Sequence, residues 1–267
     1  MTIINGYEIG PNADLRCAIL CGEDLRGEDL SNANLQGADL EGANLQEVNL
    51  SNANLYGANL YAVSLIKANL EKTQITKVNL KYSVAHEANF NKAIINNSDL
   101  TGFRSEATNF QATNLNHVNL MESELCGSDF TGVIFYVINL ENAKLEDAKL
   151  SYARFENCIL TFVNLYNANL EGANLKRADL EGTDLRKANL KNADLSGVYL
   201  NGTDLREANL ENINMFRTLI LTNTIFDGAK FSTNQIHGEG HILSTLTDEE
   251  WEIIKSHRGM KIEQGEE

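Results

Sequence analysis

The chain predicts an all-β solenoid, a rod of stacked coils that bends after every fifth residue. Three observations predict it. From Leu15 to Met215 a bulky apolar residue recurs at every fifth place, and 31 of these 41 positions are Leu. Two residues earlier stands a small one, Ala in 19 of 41 cases. The residue between them is Asn or Asp in 28 of 41 cases.

A period of five suits neither common element. On an α-helix each Leu would fall about 140° from the last and leave no buried stripe. On a flat strand an odd spacing sends alternate leucines to opposite faces. A bend after each quintet removes both conflicts, because it re-aims every Leu at one axis. Within a unit the small residue and the Leu are two apart and point the same way, while the Asn or Asp between them points out. The other two residues make the corner. Twelve of the 19 Gly share one corner column, Gly37, Gly42, Gly172 and Gly182 among them, where Gly permits backbone angles that others resist.

Units such as Ser51-Asn52-Ala53-Asn54-Leu55 and Tyr56-Gly57-Ala58-Asn59-Leu60 resemble the A(D/N)LXX repeat of the pentapeptide-repeat family. The resemblance runs over residues 11–236. It implies a right-handed quadrilateral parallel β-helix of about 11 coils, four units to a coil and roughly 50–55 Å long. Residues 20 apart then stack. Leu55 and Leu165 are candidate core residues, Phe90, Phe110 and Phe130 form one aromatic ladder, and Phe135 and Phe155 form a second.

The breaks in the pattern carry their own expectations. In Thr101-Gly102-Phe103-Arg104-Ser105 the large and small inward residues are exchanged. That is either compensated packing or a local bulge serving recognition. Glu23 and Glu28 fall in an inward column of the first coil, where a buried carboxylate is costly. They are expected to reach solvent or to pair with Arg16 or Arg26. Near 216–221 the register slips by one residue, as a one-residue bulge would produce.

An open solenoid needs its ends covered. Residues 1–10 are expected to cap the first coil through Ile3, Ile4, Tyr7 and Ile9, ahead of the repeat region 11–236. Residues 237–267 are expected to form a connector, a short α-helix over 248–256 and a flexible tail. Thr247 and Glu250 make a capping box, and Leu246 with Trp251 fits a hydrophobic staple. Leu246, Trp251 and Ile254 then either cap the rod or join two rods. In related topoisomerase inhibitors the C-terminal ends join, but the monomer is preferred here.

With 37 acidic against 22 basic residues the net charge is −15, which argues against direct nucleic-acid binding. No apolar run reaches the length of a membrane span. Cys17, Cys21, Cys126 and Cys158 show no CxxC spacing, so a reduced cytoplasmic protein is expected. His237 and His241 flank a Gly-rich connector without a third metal ligand. No nucleophile–base set, cofactor loop or metal site is read, so catalytic, cofactor and metal residues are all expected to be none. The reading is a non-enzymatic scaffold or protein-binding rod. The alternative, from the resemblance, is a DNA mimic that inhibits or modulates a DNA-binding protein such as DNA gyrase, as some members do. Against it stand Lys176, Arg177, Arg186, Lys187, Lys191 and Arg206 on the C-terminal half, Lys144, Lys149 and Arg154 in place of the usual Asn or Asp, and the lack of a large projecting loop.

Overall fold

The computed structural model describes residues 2–218, 223–232, 256 and 261–263. Its organising fact is a register of 20. Asp14 pairs in parallel with Asn34, Ile19 with Asp39, Asp24 with Asn44 and Asp29 with Asn49, and this pattern of four pairs per coil continues to Asp194 and Asn214. The chain is therefore a parallel β-helix solenoid in which each unit lies under its equivalent one coil on. Beyond 214 the spacing becomes 21, as in Asp204 with Ile225 and Asn209 with Lys230. One extra residue enters between them, and residues 219–222 lie outside the described residues.

All five N–H groups of a unit can be followed to an acceptor, as a buried backbone demands. In the unit around Leu35, Asn34 N–H reaches back to Ala13 C=O, Leu35 N–H reaches forward to Asn54 C=O and Gly37 N–H to Tyr56 C=O, all at 2.8–2.9 Å. Ala38 N–H closes the corner onto Leu35 C=O at 3.0 Å. The fifth, Gln36 N–H, is taken by the Asn34 side chain at 3.2 Å. This last bond explains the Asn or Asp column. An Asx side chain accepts from the amide two residues on and holds the turn, as Asp29 does for Ser31 and Asn164 for Tyr166. Where Arg104 replaces the Asx residue, His86 Nδ1 of the preceding coil accepts Glu106 N–H instead, at 3.0 Å. Asn offers a second bond. Its amide donates to the equivalent residue one coil back, and Asn109, Asn89, Asn69, Asn49 and Asp29 form an unbroken ladder at 2.9–3.2 Å.

The second corner residue is left-handed at every repeat from Asn12 to Arg217, with φ between 49° and 68°. That is the position a tight turn with positive φ reserves for Gly or Asn. At Gly172 there is a further reason for Gly. A Cβ there would sit 2.7 Å from the Tyr152 ring, which lies over it from the coil before.

Leu55, Phe90, Phe110, Phe130, Phe135, Phe155 and Leu165 are all buried in one continuous core. Phe90 stacks on Phe110 at 5.0 Å, Phe110 on Phe130 at 4.5 Å and Phe135 on Phe155 at 4.3 Å. Phe103 meets Phe90 edge-on at 6.2 Å, and both Phe103 and Ser105 are buried. The register through them, Val84 with Arg104 and Arg104 with Glu124, is unbroken. Compensated packing is therefore the answer, and no bulge exists there. Inward Thr fit because their hydroxyls donate to a corner carbonyl one coil back, as Thr113 does to Phe90 at 2.8 Å and Thr183 to Leu160 at 2.7 Å, while Ser83 and Ser123 donate within their own corner, to Leu80 and Leu120. Ser98 goes further. Its hydroxyl stands between Val78 N–H and Ile75 C=O, 3.1 Å from each, and opens that corner.

On that side the short bridges lengthen into a four-stranded parallel sheet of β3 (Gln74–Thr76), β4 (Ile94–Asn96), β5 (Asn114–Asn116) and β6 (Ile134–Tyr136). At the start, β1 (Thr2–Ile4) and β2 (Tyr7–Ile9) form an antiparallel hairpin. Asn5 and Gly6 have positive φ of 50° and 81°, as a two-residue hairpin turn requires. Ile9 is buried and Ile4 and Tyr7 pack on the core, but Ile3 is exposed. The inward acids Glu23 and Glu28 are half-buried and reach solvent, as one alternative expected, but the hairpin rather than an Arg supplies their partners. Asn5 Nδ2 donates to Glu23 and Thr2 Oγ1 to Glu28, each at 2.9 Å, whereas Arg16 pairs with Asp14 and Arg26 with Asp24. Each Arg is two residues from its Asp on the outer surface, while the first coil has no earlier coil above its inward acids. At the far end β7 (Lys230–Ser232) pairs in parallel with β8 (Lys261–Glu263). Leu246, Trp251, Ile254 and all but Ser256 of the expected helix lie outside the described residues. Among the described residues no helix is long and apolar enough to cross a membrane.

Two predictions follow from this wiring. The Ser31 N–H holds the Asp29 carboxyl below its ordinary value. At Asp184 burial pushes the carboxyl up, but hydrogen bonds from Arg186 more than offset it and the net shift is downward. A depressed folded-state pKa stabilises above the unfolded value, near 4, and the contribution is lost as pH falls through the folded value. Urea midpoints should be level from pH 7 to about 5 and fall below about pH 4; a midpoint unchanged to pH 2 would refute the assignment. Second, Gly42→Ala meets nothing within 4 Å and should cost about 1–2 kcal/mol from positive φ alone. Gly172→Ala should cost about 0.5–1 kcal/mol more, and adding Tyr152→Ala should remove that excess in denaturant melts.

Candidate functional site

With inward side chains committed to packing and Asx side chains to capping, variety is left to the corners. Corner residues stack every 20 into four edges along the rod. The first edge, from Arg16-Cys17 to Phe216-Arg217, differs from the others in charge. It carries Arg16, Lys77, Lys176, Arg177 and Arg217 against one acid, Glu156. The next edge is the reverse, with Glu41, Glu122, Glu141 and Glu181 against Lys81. The first edge also holds Tyr56, Tyr136 and Phe216.

Where a glycine interrupts a corner column the surface sinks into a trough. Towards the C-terminal end of the first edge, four successive corners (156–157, 176–177, 196–197 and 216–217) enclose about 340 Å³. Gly197 lies on the floor, with Arg177 Cγ 3.4 Å from where its Cβ would be. Lys176 is held by Asp194 at 3.1 Å, and Glu156 by Arg154 at 3.0 Å. Burial pushes the Asp194 carboxyl up, but hydrogen bonds from Ser196 and Lys176 hold it below the ordinary range. Arg177 and Arg217 have no carboxylate partner among the described residues. The Arg217 guanidinium lies 5.0 Å from the Phe216 ring centre. A second trough, of about 610 Å³, opens near Gly37 and Gly57 at the other end of the edge, but its cation, Arg16, is neutralised by Asp14. A third, of about 500 Å³, lies on another edge beside Gly27 and Glu47.

One coil before the first trough is an apolar patch. Ile134, Tyr136 and Val137 are 48%, 57% and 51% exposed. His117 meets Tyr136 edge-on at 5.7 Å. Val137 has φ of 53°, a conformation that costs a β-branched residue on the order of 1–3 kcal/mol. Sequence reading did not single out this patch or the trough. Their signal was present, as Ile134 in an Asx position and Val137 in a Gly or Asn position.

The four cysteines are free. Cys17 and Cys21 are exposed at adjacent corners, while Cys158 is buried and donates towards Phe135 C=O at 3.2 Å. Burial, then Glu146 at 2.9 Å, pushes the Cys126 thiol up to about 12. Among the described residues no three His, Cys, Asp or Glu side chains gather as metal ligands would. His237 and His241 lie outside those residues.

Comparison with known proteins agrees with this geometry. A family model described as "Pentapeptide repeats" matches eight copies, over residues 12–46, 43–81, 68–104, 106–136, 138–177 and 173–212. No curated protein matches. Among solved structures the chain is similar to HetL, a pentapeptide repeat protein involved in heterocyst differentiation regulation in the cyanobacterium Nostoc sp. strain PCC 7120, with 27% identity over 78% of this chain and 89% of that one and a TM-score of 0.44. It is similar to a pentapeptide repeat protein of the Arabidopsis thaliana thylakoid lumen, with 31% identity over 40% of this chain and 67% of that one and a TM-score of 0.32. It is also similar to full-length QnrB1, a plasmid-mediated fluoroquinolone resistance protein, with 18% identity over 77% and 93% and a TM-score of 0.34. The repeat register and the family match over most of its length agree, and the chain belongs to the pentapeptide-repeat family.

Proposed function

We propose that the chain is a non-enzymatic protein-binding rod, a scaffold that presents its corners to a protein partner. We take it to be a right-handed, four-sided monomer of about 11 coils at the ~4.8 Å spacing of paired strands. Residues 1–10 and 237–267 would close its two ends. Its free thiols suit a reducing compartment such as the cytoplasm. The observation that carries the reading is the patch of Ile134, Tyr136 and Val137. Gly or Asn at 137 would relieve backbone strain. Keeping apolar side chains in solvent there against that preference is what a docking surface requires.

The test separates binding from folding. Val137→Asn suits a left-handed corner and should raise stability by about 1 kcal/mol. Affinity capture at low salt with the parent chain should return a reproducible protein partner. Capture with Tyr136→Ala/Val137→Asn should lose most of it although the rod stays folded. No partner, or equal capture by both, would count against the reading.

A second reading has its own observation. Residues 1–66 hold nine Asp and Glu against two Arg, and both Arg are paired with Asp. That end is an acidic surface suited to imitating duplex DNA towards a DNA-binding protein such as gyrase. Supercoiling by gyrase that is indifferent to a large excess of the purified chain would eliminate it.

A further inference from the structure

The trough on the first edge points to the chemistry of the partner. We propose that it is the docking site for an acidic segment of a partner protein, bound extended along the edge between Tyr136 and Arg217. The inference rests on the protein-binding reading and adds the chemical class of what is bound.

Charge is the first argument. In a molecule of net charge −15, Arg177 and Arg217 face one trough with no carboxylate of their own among the described residues. Elsewhere Arg16, Arg26, Arg154, Arg186 and Arg206 each pair with a nearby Asp or Glu. A guanidinium left unmatched beside a concave surface is a ready partner for a carboxylate, which it meets through two parallel hydrogen bonds.

Shape is the second. The trough spans four corners, about 14 Å at ~4.8 Å per coil, the length of about four residues of extended chain. Arg177 and Arg217 are two coils, or about 10 Å, apart, and carboxylates on one side of an extended peptide are about 7 Å apart. The long Arg side chains close that difference. Phe216 offers apolar ground beside the acid that meets Arg217, and Tyr136 and Val137, two coils before Arg177, offer it to residues beyond the other acid. A single small anion would fill only part of this length. A nucleic acid would bring charge along its whole backbone to a rod whose other edges are acidic or balanced, whereas a short acidic segment meets only the one basic edge.

The experiment is fluorescence anisotropy at low salt with a labelled peptide of eight glutamates around a central phenylalanine. A labelled decathymidylate and inorganic phosphate, the latter as competitor, form the other arms. The peptide should bind, weaken with salt, and lose at least tenfold in affinity to Arg177→Glu/Arg217→Glu. Glu already occupies such corners at Glu47 and Glu87, so this variant should fold, as melts would verify. Gly197→Asn, which suits the positive φ of 68° but fills the floor, should weaken binding about fivefold. Lys92→Glu, on a different edge, should change nothing. Absent peptide binding, equal binding by the reversed variant, tighter binding of decathymidylate, or displacement by millimolar phosphate would each overturn the proposal. A captured partner whose binding survives the Arg177/Arg217 reversal would overturn it too, and would leave the scaffold reading standing.

Discussion

The structure depends on backbone amides finding acceptors 19 residues ahead or 21 behind, so that every coil is a template for the next. Such pairing holds only if each unit repeats its five backbone conformations, including a left-handed residue at each corner. The strain is distributed. Gly and Asn take many of the corners at little cost, and others are held by residues such as Tyr152 or Val137 because the ladder on both sides over-determines them. A single added residue changes the spacing of the pairings that straddle it, Asp204 with Ile225 and Asn209 with Lys230, from 20 to 21.

Much of this was legible in the sequence, because a period of five has few physical solutions and the inward and outward columns follow from it. Less legible was the reason for the Asn and Asp column. Outward direction explains polarity but not the preference for Asx. That comes from the one amide per unit that no backbone carbonyl takes, and it emerges only when all five are followed. The N-terminal hairpin was readable in principle from Asn5-Gly6 between the β-prone triplets Thr2-Ile3-Ile4 and Tyr7-Glu8-Ile9. The partners of Glu23 and Glu28 were not, since they depend on how that hairpin folds over a coil with no neighbour above it.

The candidate site was harder to read for a related reason. Charge summed along the chain hides how it is arranged around the rod. Glu41 and Lys77 are far apart in sequence yet belong to adjacent edges of opposite character, and only a 20-residue wrap sorts them. A linear reading gives an acidic protein that disfavours nucleic acid. The wrapped one gives three edges that are acidic or balanced, and one that is basic and aromatic.

That sorting bears on how a repeat this strict can carry function at all. Past the first coil, core positions hold apolar or hydroxyl-bearing side chains that fit the stack, and most Asx positions are tied to the turns. The corners are the freest in chemistry, and because they stack at a fixed spacing, substitutions 20 residues apart become neighbours. Arg177 and Arg217, with Gly197 between them, make a trough without moving the backbone. Recognition in such a rod is written as a column, and a partner that binds it must reach positions that recur every ~4.8 Å along one edge.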